Sequence, residues 1–287
     1  MKQGEEREDR RAEYAHLYER GDTVGAAAER LTEIIDLLRS ERGCPWDRAQ
    51  THESIKQCVI EEAYETKDAI DRGDADNLEE ELGDLLLQVV LHGRIGAESG
   101  VFDFVSIANR VSDKMIRRHP HIFSKEIIKT IDKVIEKWEN VKRQEKQTVS
   151  HAEILESVPK ALPALTRSYK LQAKAAGVGF DRACAEDVFR KIGEEARELL
   201  AAHRDDKFGL KSKIGNLLFS IVNAARILEI DPEDALNGSS QKFIDRFRSV
   251  EAAVAAAGTA VERLTLEEMD ELWERAKPNV LASMDHS

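Results

Sequence analysis

Residues 61–84 read EEAYETKDAIDRGDADNLEEELGD, and this stretch decides how the chain folds. It holds two acidic pairs, each with the i,i+3 spacing that places both side chains on one helix face: Glu62 with Glu65, and Glu81 with Asp84. Gly73 lies midway between them. If Gly73 turns an antiparallel helix hairpin, both pairs lie roughly 12 to 16 Å above the turn, at about 1.5 Å per residue. The stretch therefore predicts four carboxylates that converge across one interhelical seam.

The composition predicts an all-α protein. Of the 287 residues, 41% are apolar and 34% are charged, and only 16 glycines and six prolines interrupt them. Alternating apolar runs, which would indicate strands, are scarce. This length is enough for one large domain or for two of ordinary size, with buried cores.

The net charge of the chain disfavours two classes of binding partner. A net charge of -12 disfavours general binding to nucleic acid or to an anionic membrane, because both favour a basic surface. An anionic ligand would need a cation to bridge it to this chain. The longest apolar run, near Leu85 to Leu91, is too short to span a bilayer.

The cysteines and the N-terminus predict a cytoplasmic protein. Cys44, Cys58 and Cys184 are odd in number and form no C-x-x-C pair, so they indicate neither a disulfide framework nor a zinc site. The first residues, MKQGEEREDRR, lack the apolar core of a signal peptide. A reducing compartment fits both observations.

Apolar periodicity predicts five helices in the first half of the chain. Residues 1–28 are dense in charge and predict a tail or a frayed helix. The first helix begins at Glu29 and is followed by a loop, GCPWDRAQT, at 43–51. The other helices are predicted to run to Gly73, from a cap at Asp76 or Asn77 to near Gly100, from about Phe104 to just before Pro120, and from about Lys125.

The chain contains an internal repeat. The segment LGDLLLQVVLHGR at 82–94 recurs as IGNLLFSIVNAAR at 214–226. Flanking matches are Glu61, Glu62 and Glu65 with Glu194, Glu195 and Glu198; Lys114 and Arg118 with Lys242 and Arg246; and Trp138 and Lys142 with Trp273 and Lys277. We therefore predict two tandem helical-bundle domains, at 29–145 and 158–287, joined by a linker at 146–157.

The second repeat is not equivalent to the first. Lys213 and Asn216 stand where the first repeat has Glu81 and Asp84, so two carboxylates are lost and a positive charge is gained. Lys213 would either meet an anionic ligand in place of a metal or pair with Glu195 or Glu198. A divalent cation therefore has a full set of ligands only in the first repeat.

The first-repeat carboxylates suit a hard cation. Mg²⁺ and Mn²⁺ prefer carboxylate oxygens, and clustered acids repel one another unless a cation or a proton compensates them. The alternative is a solvated helix face that forms salt bridges. A di-iron centre is disfavoured because it needs two inward Glu-x-x-His motifs, and the only such motif is Glu13 to His16 in the charged tail.

The ordered set Glu61-Glu62-x-x-Glu65 and Glu81-x-x-Asp84 resembles the signature of the MazG family of all-α nucleoside triphosphate pyrophosphohydrolases. The resemblance extends over nearly all of residues 29–280. The segments that carry it are GCPWDRAQT, ELGDLLLQVVLH, KMIRRHPHIF at 114–123, WENVK at 138–142, KLQAKAAGVGFD at 170–181 and KFIDRF at 242–247.

The resemblance implies a reaction and a site. The reaction is hydrolysis of a nucleoside triphosphate between its α and β phosphates, giving a monophosphate and pyrophosphate, with Mg²⁺ required. The implied metal ligands are Glu62, Glu65, Glu81 and Asp84. Glu61 would orient or deprotonate the attacking water, or else it would have a supporting or purely surface role.

Basic residues are expected to hold the phosphates. Lys114 and Arg118 are i,i+4 on one predicted helix, and members of the family place such a pair against the triphosphate; the alternative is a helix terminus whose dipole favours cations. Lys242 and Arg246 are the second-repeat pair. Two further i,i+4 pairs are candidates for the nucleotide pocket, although Trp138 would serve equally well in a core: Trp138 with Lys142, and Trp273 with Lys277.

Two other groups of residues predict no ligand site. His119 and His121 flank Pro120 and indicate a turn with exposed imidazoles rather than metal ligands. Alternating lysines and acids indicate a solvated helix face: Lys125, Lys129, Lys133 and Lys137 with Glu126, Asp132 and Glu136.

Two functions from different classes remain at this point. The first is an enzyme active in the first repeat. The second is a non-enzymatic nucleotide-binding or assembly module, which applies most naturally to residues 151–287. The family also implies a homodimer, and its members often catalyse in the second repeat, a pattern from which this chain departs at Lys213 and Asn216.

Overall fold

A computed structural model describes residues 12–124, 130–145, 150–181, 184–205 and 209–284. Every regular element in these ranges is a helix, so the predicted all-α class is confirmed. The chain divides into two compact units, Met1–Glu145 and Lys146–Ser287, which are described separately below.

The first unit consists of a short 3₁₀ turn, Ala15–Tyr18, and seven helices in its described part. The helices are α1 Val24–Arg39, α2 Pro45–Ala49, α3 Lys56–Arg72, α4 Ala75–Glu98, α5 Phe104–Arg118, α6 Pro120–Phe123 and α7 Ile131–Glu145. Helices α3 and α4 form an extensive antiparallel pair, and α1 and α5 pack on α4. The predicted hairpin is therefore the centre of this unit.

The turn of the hairpin is built as the glycine predicts. Gly73 ends α3 with φ 67° and ψ 24°, a left-handed conformation that glycine adopts without a steric penalty. The next residue, Asp74, caps α4 by accepting a hydrogen bond from the Asn77 backbone N–H at 3.1 Å. The prediction of Asp76 or Asn77 as the cap was wrong, because the helix starts directly after the left-handed turn.

The core of the first unit fixes the hairpin against α1. Ile35, Ile55, Val90 and Leu91 form a buried apolar cluster. Two glycines let the chain before α5 approach α4 closely: a Cβ on Gly96 would lie 2.6 Å from the Phe102 ring, and one on Gly93 would lie 3.0 Å from the Phe104 backbone nitrogen. The core therefore holds α4, which carries Glu81 and Asp84, in one position.

Several predicted boundaries differ from the structure. Helix α1 begins at Val24, five residues before the predicted start, because the Thr23 side chain caps it by accepting from Ala26 N–H at 3.1 Å. The GCPWDRAQT loop contains α2, which Pro45 starts in the first-turn position that suits proline. Pro120 likewise starts the short helix α6, where a turn was predicted. Residues 125–129, including Lys125 and Lys129, lie outside the described residues.

The second unit repeats the helical pattern in its described part. Its helices are α8 His151–Glu156, α9 Ala164–Ala176, α10 Ala185–Asp205, α11 Leu210–Ile227, α12 Pro232–Ala256 and α13 Leu266–Met284, with a 3₁₀ turn at Val261–Arg263. Helices α10 and α11 form the extensive pair, and α9 packs on α11 as α1 packs on α4. Residues 206–208, between α10 and α11, lie outside the described ranges.

The cysteines and the helix lengths bear on two other predictions. Cys44, Cys58 and Cys184 are free thiols. In the described ranges, no helix combines the length and the apolar character that crossing a membrane requires.

Candidate metal centre and phosphate-binding residues

The hairpin of the first unit brings three acidic side chains together. Carboxylate oxygens of Glu62 on α3 and of Glu81 and Asp84 on α4 all lie within 4.8 Å of one another. The trio is the one such group of acids, histidines or cysteines within the described ranges. Facing helices thus supply oxygens from both sides of the seam, which is the donor type that hard divalent cations take.

Within the described part of the chain, no lysine or arginine forms an ion pair with this trio. Burial, followed by the Asp84 and Glu65 carboxylates, raises the pKa of Glu62 above its ordinary value. Burial and then the neighbouring carboxylates, that of Glu65 first, also raise the pKa of Glu81. Neutral amides give partial support: the Gln88 amide donates to Glu62 at 3.5 Å, and an Asn77 hydrogen bond opposes the rise in the pKa of Glu81. Such mutual repulsion favours a bound cation.

The other two predicted acids of the site are placed differently. Glu65 lies outside the trio that can share one ion, but it is close enough to raise the pKa of both Glu62 and Glu81. Its side chain is exposed, as is that of Glu61. The spacing of both acidic pairs from Gly73 predicts that all four acids lie near one seam. It does not predict which three acids meet and which one lies at the edge.

Arg118 lies in a cluster that the sequence did not predict in full. Its guanidinium is 5.2 Å from the centroid of the Trp138 ring, which His119 contacts edge-on at 4.9 Å. Arg118 also pairs with Glu145, at 2.6 Å between Nη2 and Oε2, and Arg117 donates to the same carboxylate at 3.2 Å. Both arginines lower the pKa of Glu145, mainly through the hydrogen bond from Arg118. The Glu145 carboxylate is thus bound to the Arg118 guanidinium, which was predicted to bind phosphate.

The other predicted phosphate ligands are only partly described. Lys114 is half-buried one turn before Arg118 and forms no ion pair with any described residue. In the second unit, Arg246 lies 5.6 Å from the Trp273 ring, which repeats the arginine–tryptophan contact of the first. Lys242 is half-buried on the same helix. The side chains of Lys142 and Lys277 lie outside the described residues.

The second hairpin replaces the acidic trio with ion pairs. Lys213 binds Glu198, which decides between the alternatives left open for this lysine. Lys191 Nζ lies 2.7 Å from Glu195 Oε1, and this hydrogen bond raises the pKa of the lysine. Glu195 is only 6% exposed, and its second oxygen, Oε2, is buried without a partner among the described residues.

A pair of histidines next to the first hairpin was also missed. His52 and His92 face each other with their Nδ1 atoms 2.7 Å apart and their rings stacked at 5.0 Å, and Phe102 stacks on His52. Burial and then His52 lower the pKa of His92. The residues are 40 apart in sequence, and no local pattern connects them.

Comparisons with known proteins identify the relatives of this chain. The model of the MazG nucleotide pyrophosphohydrolase domain matches residues 50–123, which include the whole first hairpin. A protein named nucleoside triphosphate pyrophosphohydrolase/pyrophosphatase MazG, from Thermotoga maritima, is 43% identical over 254 residues, which are 88% of this chain and 97% of that protein. The chain belongs to the MazG family.

Two other relatives give the extent of the match. The nucleoside triphosphate pyrophosphohydrolase of Escherichia coli K12 is 42% identical over 253 residues, which are 87% of this MazG-family chain and 96% of that relative. The crystal structure of a mazG-related protein from Thermotoga maritima matches with 32% identity, covering 40% of this chain and 98% of that one, at a TM-score of 0.35. The matches to the two named pyrophosphohydrolases thus cover most of this chain and nearly all of each relative.

Proposed function

We propose that the first repeat catalyses Mg²⁺-dependent hydrolysis of nucleoside triphosphates to a monophosphate and pyrophosphate. The chain is an enzyme of the nucleoside triphosphate pyrophosphohydrolase class, as its family membership and its named relatives indicate. The observation that supports placing activity in the first repeat is the trio of Glu62, Glu81 and Asp84, with oxygens within 4.8 Å.

The residues of the trio fit the proposed metal. Three carboxylates with no protein counter-ion supply hard oxygen donors, and their mutual repulsion is relieved by a divalent cation. Mg²⁺, or Mn²⁺ in its place, supplies charge neutralisation for the phosphates and a lowered pKa for a bound water. Glu65 adds negative charge at the edge of the site and is the proposed fourth ligand. Glu61 is proposed to position the water.

The chain's own cations are proposed to hold the leaving group. Lys114 and Arg118 lie one turn apart on α5, and Arg118 is fixed over Trp138. A planar guanidinium binds phosphate oxygens with two parallel hydrogen bonds, so Arg118 would orient the β and γ phosphates. Trp138 and Lys142 are proposed to line the nucleotide pocket in the first repeat.

The test of this function is the identity of the released product. The full-length protein is incubated with each of the eight common ribo- and deoxyribonucleoside triphosphates, and pyrophosphate and orthophosphate are quantified separately. We expect pyrophosphate in equal molar amount to the monophosphate with Mg²⁺, and no turnover with EDTA. Orthophosphate with a nucleoside diphosphate would refute cleavage between the α and β phosphates.

Metal binding is expected to stabilise the protein by compensating the acidic trio. At a metal concentration of about 100 times Kd, binding to the native state alone adds about 2.7 kcal/mol to the free energy of unfolding, so the melting temperature rises by several degrees. Glu81→Gln should stabilise the metal-free protein by removing one repelling charge and should reduce the Mn²⁺-induced shift. The measurement is thermal unfolding with Mn²⁺ or EDTA, with the exposed Glu79→Gln as control; an equal shift in both variants would contradict the site.

Glu145 is expected to compete with triphosphate for Arg117 and Arg118. Its replacement by Gln removes the charge that holds both arginines, at 3.2 and 2.6 Å, and should lower KM for a triphosphate by about tenfold with a smaller change in kcat. Asp113→Asn is the matched control, because it removes an exposed acid from α5, the helix that carries Arg117 and Arg118. A raised KM in Glu145→Gln would show instead that Glu145 positions the arginines for substrate.

Assembly as a homodimer is a further part of the proposal. Leu82, Leu86 and Val89 form an exposed stripe on α4, at 49%, 44% and 37% exposure, and such stripes mark interfaces. We expect sedimentation equilibrium to give a mass near twice 32.3 kDa, and Leu86→Glu to shift it toward one chain. A wild-type monomer at micromolar concentration would contradict this. A cytoplasmic location and a lack of nucleic-acid binding remain predictions.

A second function is proposed for the second repeat alone. Lys213 pairs with Glu198 and Lys191 with Glu195, so the residues that replace a metal site there satisfy one another. This arrangement favours a binding or assembly module over a second catalytic centre.

A further inference from the structure

The second unit contains an open cleft of about 750 Å³ beside its α10–α11 hairpin. Clefts of this size are typical of sites for small organic ligands. Helices α9, α10 and α11 line it with both apolar and polar side chains, and two phenylalanines, Phe180 and Phe219, offer flat apolar surfaces. The cleft lies on the same hairpin as Glu195 and Asn216, the positions that match Glu62 and Asp84.

Two buried acceptors line this cleft without a partner. Glu195 Oε2 and Gln172 Oε1 have no hydrogen-bond donor among the described residues, and the two residues are only 6% and 8% exposed. The orientation of Gln172 is set because its Nε2 donates to the Phe219 carbonyl at 2.8 Å, an oxygen that can only accept. An unsatisfied buried acceptor costs about 1–3 kcal/mol, so a ligand that supplies N–H donors to both oxygens would be favoured.

The charged residues of the cleft already compensate one another. Lys191 pairs with Glu195, and Arg226 pairs with Asp181. These are the two cations and the two acids among the described lining residues, so the lining carries no net charge. A triphosphate would therefore find no unpaired cation there, and a metal would find Lys191 bound to the single buried carboxylate.

The first unit fills the corresponding space with core residues. Phe219 and Asn223 match Leu87 and Leu91 in the repeated segment, and Gln172 lies five residues before Gly177 as Leu38 lies five before Gly43. Leu91 belongs to the buried cluster of the first unit, and Leu38 and Leu87 pack against it. The second unit thus has two amides, Gln172 and Asn223, where the first unit has leucines of its core, and both amides border the open cleft.

We propose that this cleft binds a neutral nucleoside whose base carries an exocyclic amino group, and that it does so without metal. Glu195 and Gln172 accept from the N–H groups of the base, while Phe180 and Phe219 contact its flat faces. The second repeat would then sense amino-bearing nucleosides rather than hydrolyse triphosphates. This inference does not depend on catalysis in the first repeat.

The test uses matched nucleosides and the full-length protein in EDTA. Adenosine and inosine differ chiefly in one amino group, as do cytidine and uridine. Isothermal titration should show adenosine or cytidine binding at one site per chain, at least about tenfold more tightly than inosine or uridine. Because these probes lack phosphate and metal is removed, the readout is separate from hydrolysis in the first repeat.

Three variants assign the signal to the cleft. Glu195→Gln keeps the shape and one acceptor for Lys191 but turns the free oxygen into a donor, so affinity should fall at least about tenfold, equal to about 1.4 kcal/mol. Asn223→Leu restores the residue of the first unit and should abolish binding while the protein stays folded. Glu194→Gln, one residue along α10 and outside the cleft lining, should bind as wild type.

The binding results that support the proposal differ from those that overturn it. Preference for the amino-bearing nucleosides, lost in Glu195→Gln and in Asn223→Leu, supports the proposal. It is overturned if no nucleoside binds, if inosine and uridine bind equally well, or if Glu195→Gln binds as wild type.

Discussion

Replacing Asp84 with Asn, or Glu81 with Gln, is expected to lower kcat/KM for pyrophosphate release by about 100-fold or more. Each change keeps the shape of the side chain and removes one of the three charges that meet within 4.8 Å. A ligand lost from a hard-metal site weakens both metal binding and charge neutralisation of the phosphates. Raising the Mg²⁺ or Mn²⁺ concentration should recover part of the activity, which distinguishes a ligand from a residue that only supports the fold.

The matched control lies in the second repeat. Glu198 is the second-repeat equivalent of Glu65, and Lys213 already compensates the charge of Glu198. Glu198→Gln should therefore change kcat/KM less than about twofold. Glu195 is not used as this control, because it lines the cleft of the second unit and pairs with Lys191. Retained turnover in Asp84→Asn, or a large loss in Glu198→Gln, would reverse the assignment of activity to the first repeat.

Local rules predicted the hairpin well. Period-3.6 apolar spacing and a glycine in the turn are both short-range signals, and the structure places Gly73 in the left-handed conformation that they imply. The cap was misassigned because Asp74, Asp76 and Asn77 all suit that position, and only the path of the chain after Gly73 selects Asp74. Helix boundaries therefore depended on side-chain contacts that composition does not encode.

The site itself was predictable only in part. Spacing of i,i+3 places two acids on one helix face, but the crossing of two helices decides which acids meet, and it selected Glu62 over Glu65. Contacts between residues far apart in the sequence could not be predicted from it. Glu145 lies 27 residues after Arg118, and Gln172 lies 47 before Phe219, so neither partner appears in a local pattern.

An ion pair between the buried Arg39 on α1 and the partly exposed Glu98 on α4 is another contact of this kind. Arg39 donates Nε and Nη2 to the two Glu98 oxygens at 2.9 and 2.7 Å, and its Nη1 donates to the backbone carbonyls of Asp47 and Gln50. The Arg39 side chain is only 4% exposed. One guanidinium thus connects α1, the α2 turn and the C-terminal end of α4, and α4 carries Glu81 and Asp84, two of the proposed metal ligands.

Glu98→Gln is expected to lower the free energy of unfolding by about 1–2 kcal/mol, because the buried Arg39 guanidinium loses its paired charge while the Glu98 side chain itself is 36% exposed to solvent. Arg39 lowers the pKa of Glu98, so the stabilisation is present above about pH 4.5 and is lost as the pH falls through the lower native-state pKa. Urea unfolding at pH 7.5 and at lower pH values should show the difference from wild type shrinking as the carboxyl protonates.

The control for this pair is Asp36→Asn, which removes an exposed partner of Arg94 and should change the free energy of unfolding by less than about 0.5 kcal/mol. The double variant Arg39→Met with Glu98→Leu removes both charges and should recover part of the loss, since apolar replacements avoid the cost of a lone buried charge. If the two single losses simply add in a double-mutant cycle, the pair is not coupled and the α1–α4 contact depends on the apolar core alone.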